Sequence, residues 1–188
     1  FSLFLFRSYF LQVVNGETYW ERSENNRLSH TLIFTKRGVI YDRFDNKLAW
    51  NVFDEDSPEF DKRYYDDTPG LSSVLGYLKY PSRDKFGFYY TEDFVGIDGV
   101  EKYYNDILAG QNGLRIIEID ASQKLQSESV IRPPSDGQDI KLSIDTELQN
   151  KVYRSIQSLS QAVGFTGGAG VIMDVNTGEV IALASYPE

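Results

Sequence analysis

Apolar residues change their spacing several times along the chain, and each change marks an element. Residues 1 to about 26 place Leu11, Val14 and Tyr19 on one helical face, with only Gly16 interrupting. The polar run ERSENNRLSH ends that period, and HTLIFTK, residues 30–36, reads as a strand. RGVIYDRFDNKLAWN, residues 37–51, alternates as strand, turn and strand, with Asp45 and Asn46 at the turn. Residues 51–70, NVFDEDSPEFDKRYYDDTPG, are acidic, contain Pro58 and Pro69 and lack a period, which marks a loop or a junction. LSSVLGYLKY resumes apolar spacing, and PSRDKFGFYYTEDF suggests a turn or short hairpin.

GIDGVEKYYNDILAGQNG, residues 96–113, carries the clearest helical signature. Asp98 is placed to cap the first turn and Glu101, three residues on, to reach back in a capping box. Val100, Tyr103, Tyr104, Ile107 and Leu108 form the predicted buried stripe, and Gly110 the left-handed stop. LRIIEIDASQKLQSESVIR reads as a β-hairpin and IKLSID as one more strand. TELQNKVYRSIQSLSQAVG predicts a second amphipathic helix, with Leu148, Val152, Ile156, Leu159 and Val163 inward. The last run, VIMDVNTGEVIALASYPE, residues 171–188, is an apolar hairpin turning on Asp174, Asn176 and Gly178. Its faces need cover, so it is expected to fray, to pack on the 146–163 helix, or to pair with another copy. The fold class is α+β: strand-rich, with two main helices.

Composition removes several functions. A formal charge of -9 argues against nucleic acid, whose non-specific affinity comes from Lys and Arg displacing counterions. With no Cys there are no disulfides, thiolate metal sites or Cys nucleophiles. A single histidine, His30, gives no zinc or iron set and is expected in a loop. FSLFLF followed by Arg7 is far short of the about 20 apolar residues that cross a bilayer. It reads either as the last turns of a membrane helix, with Arg7, Tyr9 and Phe10 at the interface, or as a core segment.

Candidate chemistry is thin. Ser82 and Lys85 make an SxxK, and Ser23 to Asn25 an SxN, two of the three motifs of penicillin-interacting serine acyltransferases. SxxK works when a helix sets Lys one turn from Ser; Ser82 lies between Pro81 and Gly87 in a stretch without helical period. The motif order is reversed and the third motif is absent. The acidic residues Asp54, Glu55, Asp56, Glu59, Asp61, Asp66 and Asp67 lack the spacing of a calcium loop. GFTGGAG, residues 164–170, lacks the ending of a phosphate loop and precedes a strand. No cofactor site is legible.

Five stretches nonetheless carry a resemblance. RGVIYDRFDNKLAWN resembles the RGxIxDRNGxxLAxN signature of class B penicillin-binding proteins at Arg37, Gly38, Ile40, Asp42, Arg43, Leu48, Ala49 and Asn51, and LQVVNGETYWERSENNRL before it is similar to their exit from the membrane helix. RYYDDTPGLSSVLGY is similar to an RxYPxG stretch leading to a GY pair, keeping Arg63, Tyr65, Gly76 and Tyr77. GIDGVEKYYNDILAGQNG follows GxxGxExxYxxxLxGxxG at Gly96, Gly99, Glu101, Tyr104, Leu108, Gly110 and Gly113. LSIDTELQ resembles the strand-to-helix entry at Ile144, Asp145, Leu148 and Gln149. Elongation-type proteins of the penicillin-binding protein 2 kind are the nearest likeness.

The resemblance implies a parent D,D-transpeptidase that crosslinks peptidoglycan through an acyl-serine. It implies a membrane-proximal helix and linker at 1–26, a non-catalytic pedestal or dimerisation domain at 27–144, and the opening helix and hairpin of the transpeptidase domain at 145–188, the catalytic serine lying beyond. It further implies a single-pass protein of the bacterial cytoplasmic membrane with this region on the periplasmic side. Its partners would be a SEDS-type glycosyltransferase and elongation-complex proteins, peptidoglycan through the catalytic domain, and a second copy in a homodimer. Arg37, Asp42, Arg43, Arg63 and Glu101, from distant segments, are expected either to brace a rigid arm or to be surface turn charges of little worth. Two departures stand out. The family's Asn-Gly turn is Phe44-Asp45, so Asn46 is expected to take the left-handed conformation. About a dozen residues separate Asn51 from Arg63, so the head insertion is short or missing around 52–62. The rival readings are a small acyl-enzyme using Ser82 and Lys85, and a wall-binding module presenting Tyr64, Tyr65, Tyr89 and Tyr90.

Overall fold

A computed structural model describes residues 2–15, 28–55, 57–85, 89–119 and 125–188. Expectations for Gly16, Tyr19, the Ser23–Asn25 pair, Asp56 and Gly87 lie outside these residues. The chain forms two compact units, residues 1–33 with 113–133, and residues 34–112 with 134–188.

In the first unit, α1 (Ser2–Tyr9) runs into a π-helical turn (Phe10–Val14), and three strands form a sheet in the order β1-β9-β10. These are β1 (Leu28–Ile33), β9 (Gly113–Ile119) and β10 (Leu125–Arg132), all antiparallel, with His30 opposite Ile116. His30 thus sits in a strand rather than a loop, and the strand predicted to run to Lys36 ends at Ile33.

The second unit holds the core. Its main sheet has the order β11-β2-β3-β4, from β2 (Ile40–Tyr41), β3 (Lys47–Val52), β4 (Lys62–Tyr65) and β11 (Ile140–Lys141). β11 runs parallel to β2, and the other pairs are antiparallel. One turn, α2 (Ser72–Leu75), and the helix after it cover this sheet, burying Ile40, Leu48, Ala49, Leu71, Val74, Leu75, Leu108 and Ile144 together. Short ladders join β5 (Leu78–Lys79) to β8 (Val95–Gly96) and β6 (Ser82–Arg83) to β7 (Tyr89–Thr91).

The helix expected over 98–108 is broken into α3 (Gly99–Tyr103) and α4 (Asn105–Leu108), because Tyr104 leaves helical geometry at φ -102°, ψ 21°. The predicted stripe therefore fails in part: Tyr103 is 82% exposed and Ile107 is exposed, while Glu101 and Leu108 are buried. Asp98 does cap α3, accepting from Gly99 N–H at 2.9 Å, but there is no capping box, since the Glu101 carboxylate is taken by two arginines. In the β2–β3 turn it is Asp45, at φ 67°, and not Asn46 that is left-handed.

α5 (Thr146–Val163) packs on the hairpin of β12 (Gly168–Met173) and β13 (Val180–Tyr186), the second of the three placements expected for that hairpin. The face it buries is rotated from the one predicted: Gln149, Tyr153 and Ser160 are inside, whereas Leu159 and Val163 are exposed. The glycines of GFTGGAG explain the close approach. A Cβ on Gly170 would lie 2.9 Å from Val152 Cγ1 and one on Gly168 3.0 Å from Ile156 Cγ2. Helix-to-strand packing, not a phosphate, is what these glycines serve.

Candidate functional site

Three segments far apart in sequence meet at Glu101, which has no exposed surface. The stretch entering β2 supplies Arg37, whose Nε donates to Glu101 Oε2 at 2.6 Å. Strand β4 supplies Arg63, whose Nε donates to Glu101 Oε1 at 2.8 Å. Each carboxylate oxygen thus receives its own guanidinium, in charge-assisted bonds stronger than neutral ones. One further nitrogen of each arginine reaches a backbone carbonyl and an asparagine: Arg37 Nη2 bonds Glu101 O at 3.0 Å and Asn105 Oδ1 at 3.1 Å, and Arg63 Nη1 bonds Gly38 O at 2.8 Å and Asn51 Oδ1 at 3.1 Å.

Two asparagines close the arrangement. Asn51 on β3 donates from Nδ2 to Arg37 O at 2.5 Å while its Oδ1 accepts from Arg63, and Asn105 Oδ1 also accepts from Gly96 N–H at 2.9 Å. The backbone of Arg63 is held from outside, its N–H donating to the Tyr80 hydroxyl at 2.8 Å. Tyr65 lies over the same charges; burial, followed by the negative charge of Glu101, raises its phenol well above the ordinary value of 10.0, so it stays protonated.

Glycines let the backbones approach. A Cβ on Gly38 would sit 1.9 Å from Gln138 O, and one on Gly96 2.0 Å from Glu101 O. Gly76 and Gly99 face each other where α2 ends and α3 begins: a Cβ on Gly76 would meet Asp98 O at 2.0 Å and one on Gly99 Gly76 N at 2.7 Å. Tyr77, beside this crossing, is exposed, and its carbonyl accepts from Ile97 N–H.

Of the charges expected to act together, Asp42 and Arg43 stand apart from this cluster. Asp42 is buried and organises its own turn, accepting from Phe44 N–H at 2.8 Å and Asn46 N–H at 2.9 Å, and from the Thr146 hydroxyl at 2.9 Å. Burial pushes its carboxyl up, but these bonds together with the Asn46 amide outweigh it and hold the group below 3.8. The Arg43 guanidinium lies 5.7 Å from the Phe44 ring centre, while the Arg43 backbone N–H donates to Ile144 O. Asp145 caps α5, accepting from Leu148 N–H at 3.0 Å.

A second knot was not foreseen. Gln149, fully buried on α5, donates from Nε2 to Gly70 O and to Leu183 O, and accepts from Leu183 N–H at 2.7 Å. Glu188 adds to it, accepting from Gly70 N–H at 3.0 Å and from the Ser72 hydroxyl at 2.6 Å. A glutamine at an inward helix position was the available signal.

The rival chemistries do not assemble. Ser82 is in β6 and its hydroxyl donates to Tyr80 O at 3.3 Å, so Lys85, three residues along an extended chain and turn, is not one helical turn away. The four tyrosines form no platform, since Tyr65 turns inward and the Tyr89 hydroxyl bonds Glu59. The acidic stretch is dispersed: Asp54 pairs with Lys62 at 2.6 Å, Glu59 with Arg83, and Asp66 accepts from Thr68 N–H. Among the described residues no three His, Asp or Glu side chains are grouped to hold a metal ion.

The described residues form a small mixed fold braced by a buried Arg–Glu–Arg cluster. Comparison with known proteins specifies the family. Residues 58–142 match the family model described as the penicillin-binding protein dimerisation domain, and the chain belongs with the penicillin-binding proteins. It is 33% identical over 132 residues to the peptidoglycan D,D-transpeptidase FtsI of Escherichia coli, covering 69% of this chain and 20% of that protein. It is 25% identical over 258 residues to the peptidoglycan D,D-transpeptidase MrdA of Haemophilus influenzae, covering 95% of this chain and 39% of that one. A chain from a solved peptidoglycan synthase complex, concerned with coordinating polymerization and crosslinking, superposes with a TM-score of 0.66 at 25% identity, over all of this chain and 44% of its own length. The chain thus spans less than half the length of these relatives.

Proposed function

We propose that this chain is the non-catalytic pedestal of a peptidoglycan D,D-transpeptidase, joined to the first helix and hairpin of the transpeptidase domain. The observation that carries this is the Arg37–Glu101–Arg63 cluster, in which one buried carboxylate holds three distant segments together through both guanidinium groups. Its work is mechanical. Gln149 and Glu188 tie the loop at Gly70 to α5 and β13, so a load on the sheet reaches the elements that open the catalytic domain.

The partner in this reading is a membrane-embedded SEDS-type glycosyltransferase in the cytoplasmic membrane, with the pedestal on the periplasmic side. Support comes from the relative found in a complex that polymerizes and crosslinks, and from the exposed Phe4, Phe6, Tyr9 and Phe10 on the first helical segment. No helix among the described residues is long and apolar enough to cross a membrane. The head of the pedestal is reduced in this reading: an alignment of 258 residues takes in 95% of this 188-residue chain, so the MrdA relative holds residues with no counterpart here.

The test is made in the full-length parent protein. Glu101→Gln is expected to leave labelling of the catalytic serine by fluorescent penicillin intact while lowering the glycan polymerization of the partner. Full activation by a folded Glu101→Gln protein would overturn the pedestal role.

A further inference from the structure

The cluster leaves two donors over. Arg37 Nη1 and Arg63 Nη2 are buried and have no hydrogen-bond partner among the described residues, although the side chains are only 3% and 1% exposed. Leaving such a nitrogen dry costs as much as the bond it lacks. Both arginines line a cavity of about 10 Å³ whose wall also includes Thr35, Asn51 and Asp61, closed on its apolar side by Leu78 and Phe94. That is room for about one water molecule, which needs two to four polar partners.

The structure assigns this cavity as the site of one ordered water. Its two lone pairs accept from Arg37 Nη1 and Arg63 Nη2, and its two hydrogens go to the Asp61 carboxylate and the Thr35 hydroxyl oxygen. Both acceptors are available. The Thr35 hydroxyl spends its own hydrogen on Ala109 O at 2.9 Å, keeping its oxygen open, and the half-buried Asp61 makes no hydrogen bond to another described residue. Asn51 is already committed to both arginines. Charge favours a neutral guest over an anion: two guanidinium groups face two carboxylates, Glu101 and Asp61, and Lys36, also on the wall, is exposed. Asp61, read from sequence as part of an acidic loop or junction, thereby becomes the outer member of the cluster, and the loop ending there is anchored through the water.

A high-resolution crystal structure of the chain, with a parallel bromide soak, tests this. One full peak within about 2.7–3.2 Å of both nitrogens, without anomalous signal, is expected. An empty cavity, an anomalous bromide peak there, or arginine nitrogens turned onto protein acceptors would each overturn it. In solution, Asp61→Asn keeps an acceptor and should leave exchange of the Arg63 Nε hydrogen as in the parent, whereas Asp61→Leu should speed it about tenfold. Equal exchange in Asp61→Leu and the parent would also overturn the assignment.

Discussion

Replacing Glu101 by Gln removes one charge and almost no volume, so it isolates the electrostatics of the cluster. In the parent, each carboxylate oxygen accepts one Nε–H, at 2.6 and 2.8 Å. The amide keeps a single acceptor oxygen and turns an NH₂ toward the other guanidinium, leaving one arginine facing a donor. Two positive groups then remain in a site with no exposed surface at Glu101 and almost none at the arginines. Breaking a buried ion pair by removing one partner costs about 3–5 kcal/mol, far more than the net worth of an intact pair. With a urea dependence of about 2 kcal/mol/M, usual for a chain of this size, the midpoint should fall by about 2 M. Urea titration followed by tryptophan fluorescence reads this, since Trp50 in β3 adjoins Asn51 of the cluster. Replacing all three residues together, Arg37→Met, Arg63→Met and Glu101→Leu, should be milder than Glu101→Gln alone, because no fully buried charge is stranded and the remaining carboxylate, Asp61, is only half-buried. A loss below about 1 kcal/mol for Glu101→Gln, the range of an exposed pair, would refute the reasoning.

Other outcomes follow from neighbouring geometry. Gly38→Ala should lower stability by more than about 2 kcal/mol by calorimetry, since the added Cβ would lie 1.9 Å from Gln138 O. Asp45→Gly should raise it by about 0.5 kcal/mol in the same assay: glycine suits φ 67°, and the Lys141 partner lost is on the surface. Gln149→Leu strands both Leu183 backbone groups and leaves Gly70 O only the long bond from the Ser73 hydroxyl, so about 3 kcal/mol should be lost and Leu183 N–H should exchange much faster. The Asp42 carboxyl is depressed on folding, so its contribution is present above the unfolded value of 3.8 and lost as pH falls through the lower folded value. The gap in urea midpoint between the parent and Asp42→Asn should therefore be full at about pH 6 and narrow on acidification below about pH 4.

Elements with one strong local signal were legible in the sequence. The β2–β3 turn, the β9–β10 pairing, α5 and the last hairpin each declare themselves through period or turn chemistry. What tertiary contacts decide was not legible. Glu101 reads locally as half of a capping box, but two guanidinium groups outbid one amide for its oxygens, and the inward face of its helix turns with it. α5 shows the same effect through glycine: Gly168 and Gly170 draw the strands against Val152 and Ile156, which leaves Leu159 and Val163 outside. Motif likeness named Arg37, Arg63 and Glu101, and of the two readings open for them, bracing and surface turn charges, the structure shows the first. The likeness did not separate them from Asp42 and Arg43, which serve a turn and a surface. Gln149 has no local signature beyond being polar on an inward face.

In the proposed pedestal role this chain supports a catalytic domain and forms no acyl-enzyme of its own. Intact mass after incubation with a penicillin tests that most directly. The unmodified mass is the predicted result; a stable acyl adduct, mapped to Ser82 and lost in Lys85→Ala, would contradict the account.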